Sequence, residues 1–476
     1  MRRFMALLIL CMSVLSIAFT GCGVNRESSK NTPVVTTIVT PTVTPAVTPS
    51  EQNDLKPTND PNKKIINIWC YGDDVPKAIE KFKELHPDFG YEIKTNDLIN
   101  VCESYQVMLD DGLAAGGSDA PDIYSVESAY ANKYTQGEKY QYAADYKDLG
   151  IDVDTLLKEA SIPKYSIDVG TNPEGKLVGL GYQSTGSAFI YRRSIAKDVW
   201  GTDDPSIIKD IIGPGWDKYF LAAADLKAKG YGICSSADDL WLAVANNYAQ
   251  GWVVDGKLVI DPKREEFLDL AMKLKKNDYS NNSRAWLDDW YEDIKGEGKK
   301  QVFGFLGPAW FLNYIITSNS GGETVGEGTY GDWAICEPPV ASFWGGTWVL
   351  ANKGTKAKDG VGEIIKWITL DTSDTGFQYL LANDKLGLGT KETVASVTVM
   401  KKSDGKSDFL GGQNLFEVYI PAAEKANGKN ATEYDDAINL YWLNQVQEYT
   451  EGKKSREQAI TDFKQLVADN LDVIIE

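Results

Sequence analysis

Between residues 65 and 126 the chain alternates short apolar runs with helical spacing, and no other feature narrows the fold as far. Ile65 to Trp69 (IINIW) is apolar and β-branched, as a buried strand requires. Val75 to Leu85 follows with Ile79, Phe82 and Leu85 at helical spacing, and His86-Pro87 stops it. Tyr91-Glu92-Ile93 predicts a second strand, Val101 to Ala115 a second helix closed by Gly116-Gly117, and Pro121 to Val126 a third strand. This β-α-β-α-β order predicts an α/β fold with a parallel sheet covered by helices. Ligands of such sheets sit beyond the carboxyl ends of the strands. Trp69, Tyr71 and Asp73 after the first strand, and Glu127, Ser128 and Tyr130 after the third, are therefore candidate ligand contacts.

Ahead of this body lies an address. Met1 to Arg3 is basic, and Phe4 to Ala18 is an apolar run of signal-peptide length, too short to span a bilayer. Phe19-Thr20-Gly21-Cys22 resembles a bacterial lipobox, with Phe19 where leucine is usual. Residues 1–22 then form a lipoprotein signal and Cys22 is the lipidated residue; an ordinary secretory signal cleaved elsewhere is the other reading. Residues 23–60 repeat Thr-Pro and Val (TPVVTTIVTPTVTPAVTPS) and are expected to be a disordered, semi-rigid tether. No later apolar run is long enough for a membrane span. The arrangement places the body at the extracellular face of the cell membrane, lipid-anchored as in Gram-positive lipoproteins.

Composition limits what that body can bind. The 476 residues allow two or three domains, and the net charge of −19 disfavours nucleic acid or an anionic membrane surface. Only eight of the 49 basic residues are arginine, the preferred fork for carboxylate and phosphate, so an uncharged ligand is expected. One histidine, His86, cannot build a two-His metal site, and it reads as part of a helix-ending turn. Cys70, Cys102, Cys234 and Cys336 lack CxxC spacing and read as small buried hydrophobes. No metal or cofactor is expected. The 13 tryptophans are the unexplained excess.

Several segments together resemble the extracellular solute-binding proteins of bacterial ABC sugar importers, the maltose-binding-protein-like group. FKELHPDFGYEI is similar to that family's first helix and second strand, and APDIY to its third strand. GKLVGLGYQSTGSAFIYRRSIAKDVWG resembles its first lobe crossover, with Gly181 and Arg192 departing from the usual proline and asparagine. GWDKYFLAAADLKAKGYGI, GEGKKQVFGFLGPAWFLNYI, GDWAICEPPVASFWGGTWVLANKGTK and EYTEGKKSREQAITDFKQLVADNL resemble a later helix and strand, a strand and its helix, the second crossover and the closing helix. The resemblance implies a two-lobe periplasmic-binding-protein-like fold of class II type. It also implies a hinge, an interlobe ligand cleft, and no enzymatic activity. The N-terminal lobe is expected at 61–180 plus 343–385, and the C-terminal lobe at 181–342 plus 386–476. The partners implied are a neutral oligosaccharide and the permease subunits of an ABC transporter, with the receptor itself a monomer.

Sugars present apolar C–H faces and a rim of hydroxyls, which aromatic rings and polar side chains read respectively. The resemblance puts Trp310, after GFLGPA, first among the candidate platforms, then Trp344 in FWGG, Trp241 in ADDLWL, and Trp69. Tyr182 and Gln183 lie at the first crossover; Trp348, Tyr71, Asp73, Glu127 and Tyr130 complete the expected sugar-binding set. Trp200, Trp216, Trp252, Trp333 and Trp367 read as core, while Trp286 and Trp290, four apart, could line one helix face. Cello- or other β-gluco-oligosaccharides are the first expectation, with xylo- and malto-oligosaccharides close behind. A secreted glycoside hydrolase, which needs only two carboxylates, and a polysaccharide-binding adhesin are the alternatives.

Overall fold

The computed structural model describes residues 64–97 and 102–475. The signal segment, Cys22 and the 23–60 tether lie outside the described residues. The chain first lays down β1 (Ile65–Cys70), α1 (Asp74–Leu85), β2 (Glu92–Asp97), α2 (Cys102–Ala115), β3 (Ile123–Glu127) and α3 (Ser128–Thr135). It continues through α4 (Lys164–Gly170), β4 (Gly179–Gly181), β5 (Ala188–Arg192), α5 (Ala237–Val244), β6 (Gly304–Gly307), β7 (Trp333–Cys336) and β8 (Thr347–Ala351). The helices that follow include α6 (Lys358–Thr369), α7 (Phe416–Lys425), α8 (Asp435–Thr450) and α9 (Arg456–Asn470).

Two main sheets organise two lobes. The first has the strand order β2-β1-β3-β8-β4 and the second the order β6-β5-β7. In β1, Ile66, Ile68 and Cys70 are wholly buried on one face, because strand side chains alternate sides. They join Val75, Ile79 and Phe82 of α1 and Ile364, Ile365 and Ile368 of α6 in one core. The opposite face is covered by Tyr105, Leu109 and Leu113 of α2 and Tyr134 of α3. In the second sheet Ala188 and Ile190 face that first core, while Phe189 and Tyr191 face a separate one reaching α8 and α9 through Trp442 and Phe463.

The first sheet is not purely parallel as the strand-helix alternation suggested. β1 pairs in parallel with β2 and β3, but β8 is antiparallel to both β3 and β4. The reason is topological. β8 returns from the second lobe and enters the sheet from the end where β3 leaves it. His86 caps α1, its N–H donating to the Phe82 carbonyl, and its ring stacks 4.3 Å from Phe82, so it serves as a helix stop. Cys70, Cys234 and Cys336 are all buried. Among the described residues no helix is long and apolar enough to cross a membrane.

Between the lobes three crossing segments are joined by isolated backbone bridges. The first crossing segment, 182–187, hydrogen-bonds to segment 342–344 on one side: Trp344 N to Thr185 O at 3.0 Å and Ser187 N to Ser342 O at 2.9 Å. Segment 393–395 pairs with it on the other: Ser184 N to Thr393 O at 3.1 Å and Ala395 N to Tyr182 O at 2.9 Å. Gly186 sits in the middle segment against α7, and a Cβ there would lie 2.6 Å from Ala423 N and 2.7 Å from the Ala422 carbonyl carbon. Backbone cannot rotate away as a side chain can. Gly186→Ala is therefore expected to cost about 1–3 kcal/mol of unfolding free energy by forcing α7 outward. Denaturant unfolding checks this, and unchanged stability would show that α7 can shift freely.

Candidate functional site

The crossing segments place an aromatic group where the lobes meet. Trp344 follows Phe343 in the second crossover, and Trp310 precedes a π-helical stretch, Phe311–Ile316, that follows β6. Gly304 and Gly307 let β6 lie close to its neighbours: a Cβ at Gly307 would lie 2.4 Å from the Phe311 ring, which packs over the strand. The Trp310 and Trp344 rings are 4.6 Å apart and tilted by 58°. Trp310 Nε1 donates to the Trp344 carbonyl at 2.9 Å, so the indole is oriented by the crossover backbone. A third indole, Trp286, lies 5.9 Å from Trp344. All three rings are half-buried, whereas Trp290 behind Trp286 is wholly buried and hydrogen-bonds to Asp239 at 3.0 Å.

Polar groups flank this wall. Asn246 Nδ2 donates to the Phe343 carbonyl at 2.8 Å, beside Trp344. Asp238 accepts from Arg284 Nε and from Ala285 N, each at 3.2 Å, beside Trp286. Glu127 ends β3 opposite Thr347, and Ser128 N donates to Gly346 O at 2.9 Å, so the acid stands next to the second crossover. Its carboxylate caps α3 by accepting from Ala129 N at 2.6 Å. Burial pushes its pKa up to about 7; the Ala129 bond opposes this, and Asp436 of α8 adds to it. Glu127 and Asp436 thus bring one acid from each lobe within electrostatic reach.

A second acidic group lies across the same junction. Tyr182 donates to Asp74 at 3.1 Å, and Asn313 of the π-helical stretch donates to Glu392 at 2.7 Å. Burial raises Asp74, with Asp73 adding to the effect. Burial pushes Glu392 up to about 7, against the Asn313 hydrogen bond and with help from Asp74.

The expected sugar-binding residues do not all converge. Trp310 and Trp344 meet, with Glu127 on the strand pairing beside them. Trp69 instead packs on α2, where a Cβ at Gly112 would be 2.5 Å from its ring. Tyr71 packs 5.8 Å from Tyr105, and its N–H donates to Ser125 Oγ at 2.9 Å. Asp73 precedes α1 and is exposed, paired with Lys77. Tyr130 is half-buried on α3, beside the core on that face. Gln183 bridges to Val394 between two of the crossing segments.

Three expected contacts lie in the interior. Tyr182 is 0% exposed, Trp348 1% and Trp241 5%; Trp241 packs 4.9 Å from Phe267 on the core side of α5, and Trp348 sits opposite Gly181 inside the first sheet. Of the tryptophans expected in the core, Trp252, Trp333 and Trp367 are buried, whereas Trp200 and Trp216 are half-buried. Asn246 and Asp436 were not singled out in the sequence, and Trp286 only as sharing a helix face with Trp290, whereas it stands in the loop before that helix. No sequence signal marks them, because each is brought in by a loop or helix end whose position only the folded chain fixes. Arg192, Arg193, Arg264 and Arg456 are tied to Asp332, Asp203, Asp435 and Glu265, and Arg284, beside the wall, is tied to Asp238. A cavity of about 360 Å³ lined by Asp122, Tyr142 and Asn352 lies at the amino end of β3, away from these groups.

A family model, described as bacterial extracellular solute-binding protein, matches residues 77–403. The chain belongs to that family. It is thus a member of a group that binds extracellular solutes, which accords with a binder rather than an enzyme. No curated protein matches it. Solved structures share its fold. An extracellular solute-binding protein family 1 structure superposes with a TM-score of 0.71 at 17% identity, covering 85% of this chain and 99% of that one. The galacto-N-biose/lacto-N-biose I-binding protein of a Bifidobacterium longum ABC transporter, bound to lacto-N-biose, gives 0.62 at 16% identity, covering 87% and 99%. The sugar-binding protein MalE of Xanthomonas citri gives 0.62 at 14%, covering 85% and 98%.

The buried acids of this solute-binding protein make its stability pH-dependent. Asp239 and Glu392 are each 1% exposed, and burial pushes both up to about 7. A carboxyl raised in the folded state opposes folding where it must ionise, so stability rises as pH falls through about 7 and levels off near the unfolded carboxylate range. Tm is therefore expected to rise between about pH 8 and about pH 5.5, with a shallower rise in Glu392→Gln. Calorimetry checks this; a Tm that falls over that window would contradict the burial of these charges.

Proposed function

We propose that this protein is the carbohydrate receptor of an ABC importer, anchored at the outer face of the cell membrane through Cys22. In this reading it captures neutral oligosaccharides between its lobes and presents them, as a monomer, to the permease subunits. The lobes are taken as 61–180 plus 343–385 and 181–342 plus 386–476. The observation that carries the reading is the half-buried Trp310–Trp344 pair at the crossing segments, with Trp286 beside it. Aromatic faces take the C–H faces of a sugar, and a closing cleft strengthens that contact by excluding water. Asn246 and Arg284 stand nearby to meet hydroxyls. All five described arginines are already committed to ion pairs, which suits a ligand without charge.

A chemical step is not needed to account for any of these groups. Glu127 and Asp436 invite comparison with a hydrolase pair, but Glu127 is occupied as a helix cap, and the family binds solutes. The sugars bound by the Bifidobacterium and Xanthomonas proteins lend the carbohydrate class further support.

Titration calorimetry with cello-, xylo- and malto-oligosaccharides tests the proposal, alongside an assay for new reducing ends. Binding without turnover is expected. Trp310→Ala should weaken the best ligand at least about tenfold, the scale of losing one aromatic platform, while circular dichroism stays native. Sustained release of reducing ends, or unchanged affinity in Trp310→Ala, would overturn the reading.

A further inference from the structure

Trp286 stands in the loop between the helix Pro262–Lys276 and the helix Asp288–Lys295. Its backbone has φ +71°, a region that a bulky side chain rarely enters. The surroundings hold it there. Asp238 accepts from Ala285 N and from Arg284 Nε on the preceding residues, and Leu287 N donates back to Arg284 O at 3.2 Å. The ring rests against the wholly buried Trp290 at 5.2 Å and presents its remaining surface beside Trp344. Strain of this kind persists where the neighbours over-determine it, and it is concentrated in ligand-binding regions.

The wall that results is folded, not flat. Trp310 and Trp344 are tilted by 58°, and Trp344 and Trp286 by 60°, with neighbouring centroids within 6 Å. A flat ribbon, such as a β-1,4-linked glucan, presents coplanar sugar faces and cannot lie face-on against two rings set at such an angle. A chain whose sugar planes turn from one unit to the next can follow the wall. Arg284, whose side chain is 44% exposed, adds hydrogen-bond donors at the Trp286 end.

Given the sugar-receptor reading above, we infer that Trp286 is a third platform and that the ligand is a neutral oligosaccharide with a turning backbone. Trp310 and Trp344 hold the inner units, and Trp286 with Arg284 holds the unit beyond them. The flat β-gluco-oligosaccharide expected from the sequence is then the poorer fit.

The test is calorimetry of the full-length protein with cellotriose as the flat probe, and with laminaritriose and maltotriose as turning probes, each beside its disaccharide. At least one turning trisaccharide should bind about tenfold or more tightly than cellotriose, and more tightly than its own disaccharide. Trp286→Ala should remove about five- to tenfold of the trisaccharide affinity while leaving the disaccharide unchanged, and Trp286→Phe should keep most of the gain. A melting profile close to wild type excludes misfolding, and the Phe variant serves if the Ala variant unfolds. Tighter binding of cellotriose, or a trisaccharide gain untouched in both variants, overturns this inference while Trp310→Ala still tests the receptor reading. Failure of every neutral sugar to bind the wild-type protein overturns both.

Discussion

The pairing of three crossing segments is the constraint on which the rest of the molecule depends. Segment 182–187 is hydrogen-bonded on one edge to 342–344 and on the other to 393–395. Backbone bonds are indifferent to side-chain identity, so they fix where the chain passes while leaving the side chains free for recognition. Phe343 and Trp344 are presented from one of these segments and Glu392 from beside another. The same segments connect the sheets, so rotation of one lobe on the other must be absorbed near residues that line the site. That is the arrangement expected of hinge closure, in which ligand contact and domain motion share a few residues.

Burial divides the tryptophans by role. Trp252, Trp290, Trp333, Trp348 and Trp442 are fully buried, and three of them hydrogen-bond through the indole N–H: Trp252 to Asn439, Trp290 to Asp239 and Trp333 to Thr329. Those rings set core volume. Trp286, Trp310 and Trp344 are held by their neighbours yet remain half open. The core tryptophans therefore act as backing for the open ones, most directly where Trp290 supports Trp286. The acidic groups show the same layering, since Asp239 braces Trp290 while its neighbour Asp238 orders the loop that carries Trp286.

Much of the first lobe was legible in the sequence. The predicted strands and helices from Ile65 to Val126 match β1, β3 and the helices within one or two residues, because both faces of the sheet are covered and the apolar spacing is strong; β2 runs four residues past the expected Ile93, through the polar stretch to Asp97. The mixed direction of the sheet was not legible, since β8 comes from far along the chain and carries no local mark of its partner. Trp310 and Trp344 were singled out through resemblance of the segments around them, and the fold packs the two together. The resemblance locates a segment but not the face its side chains take, as the burial of Trp241 and Trp348 illustrates. α5 turns Trp241 inward, and strand alternation buries Trp348. Trp286 was read as sharing a helix face with Trp290, but it stands in the loop before that helix, its direction set by a left-handed backbone angle that periodicity cannot reveal.

The insertion of β8 between β3 and β4 has a consequence for how the chain is made. Thr347 faces Glu127, and Trp348 faces Gly181, across strands separated by the whole body of the second sheet. The first lobe cannot complete its sheet until Ala351 has emerged. Non-local pairings of this kind close late and fold slowly. A chain synthesised on one side of a membrane and used on the other gains from that delay, because it stays unfolded, and so threadable, until most of its length has been made.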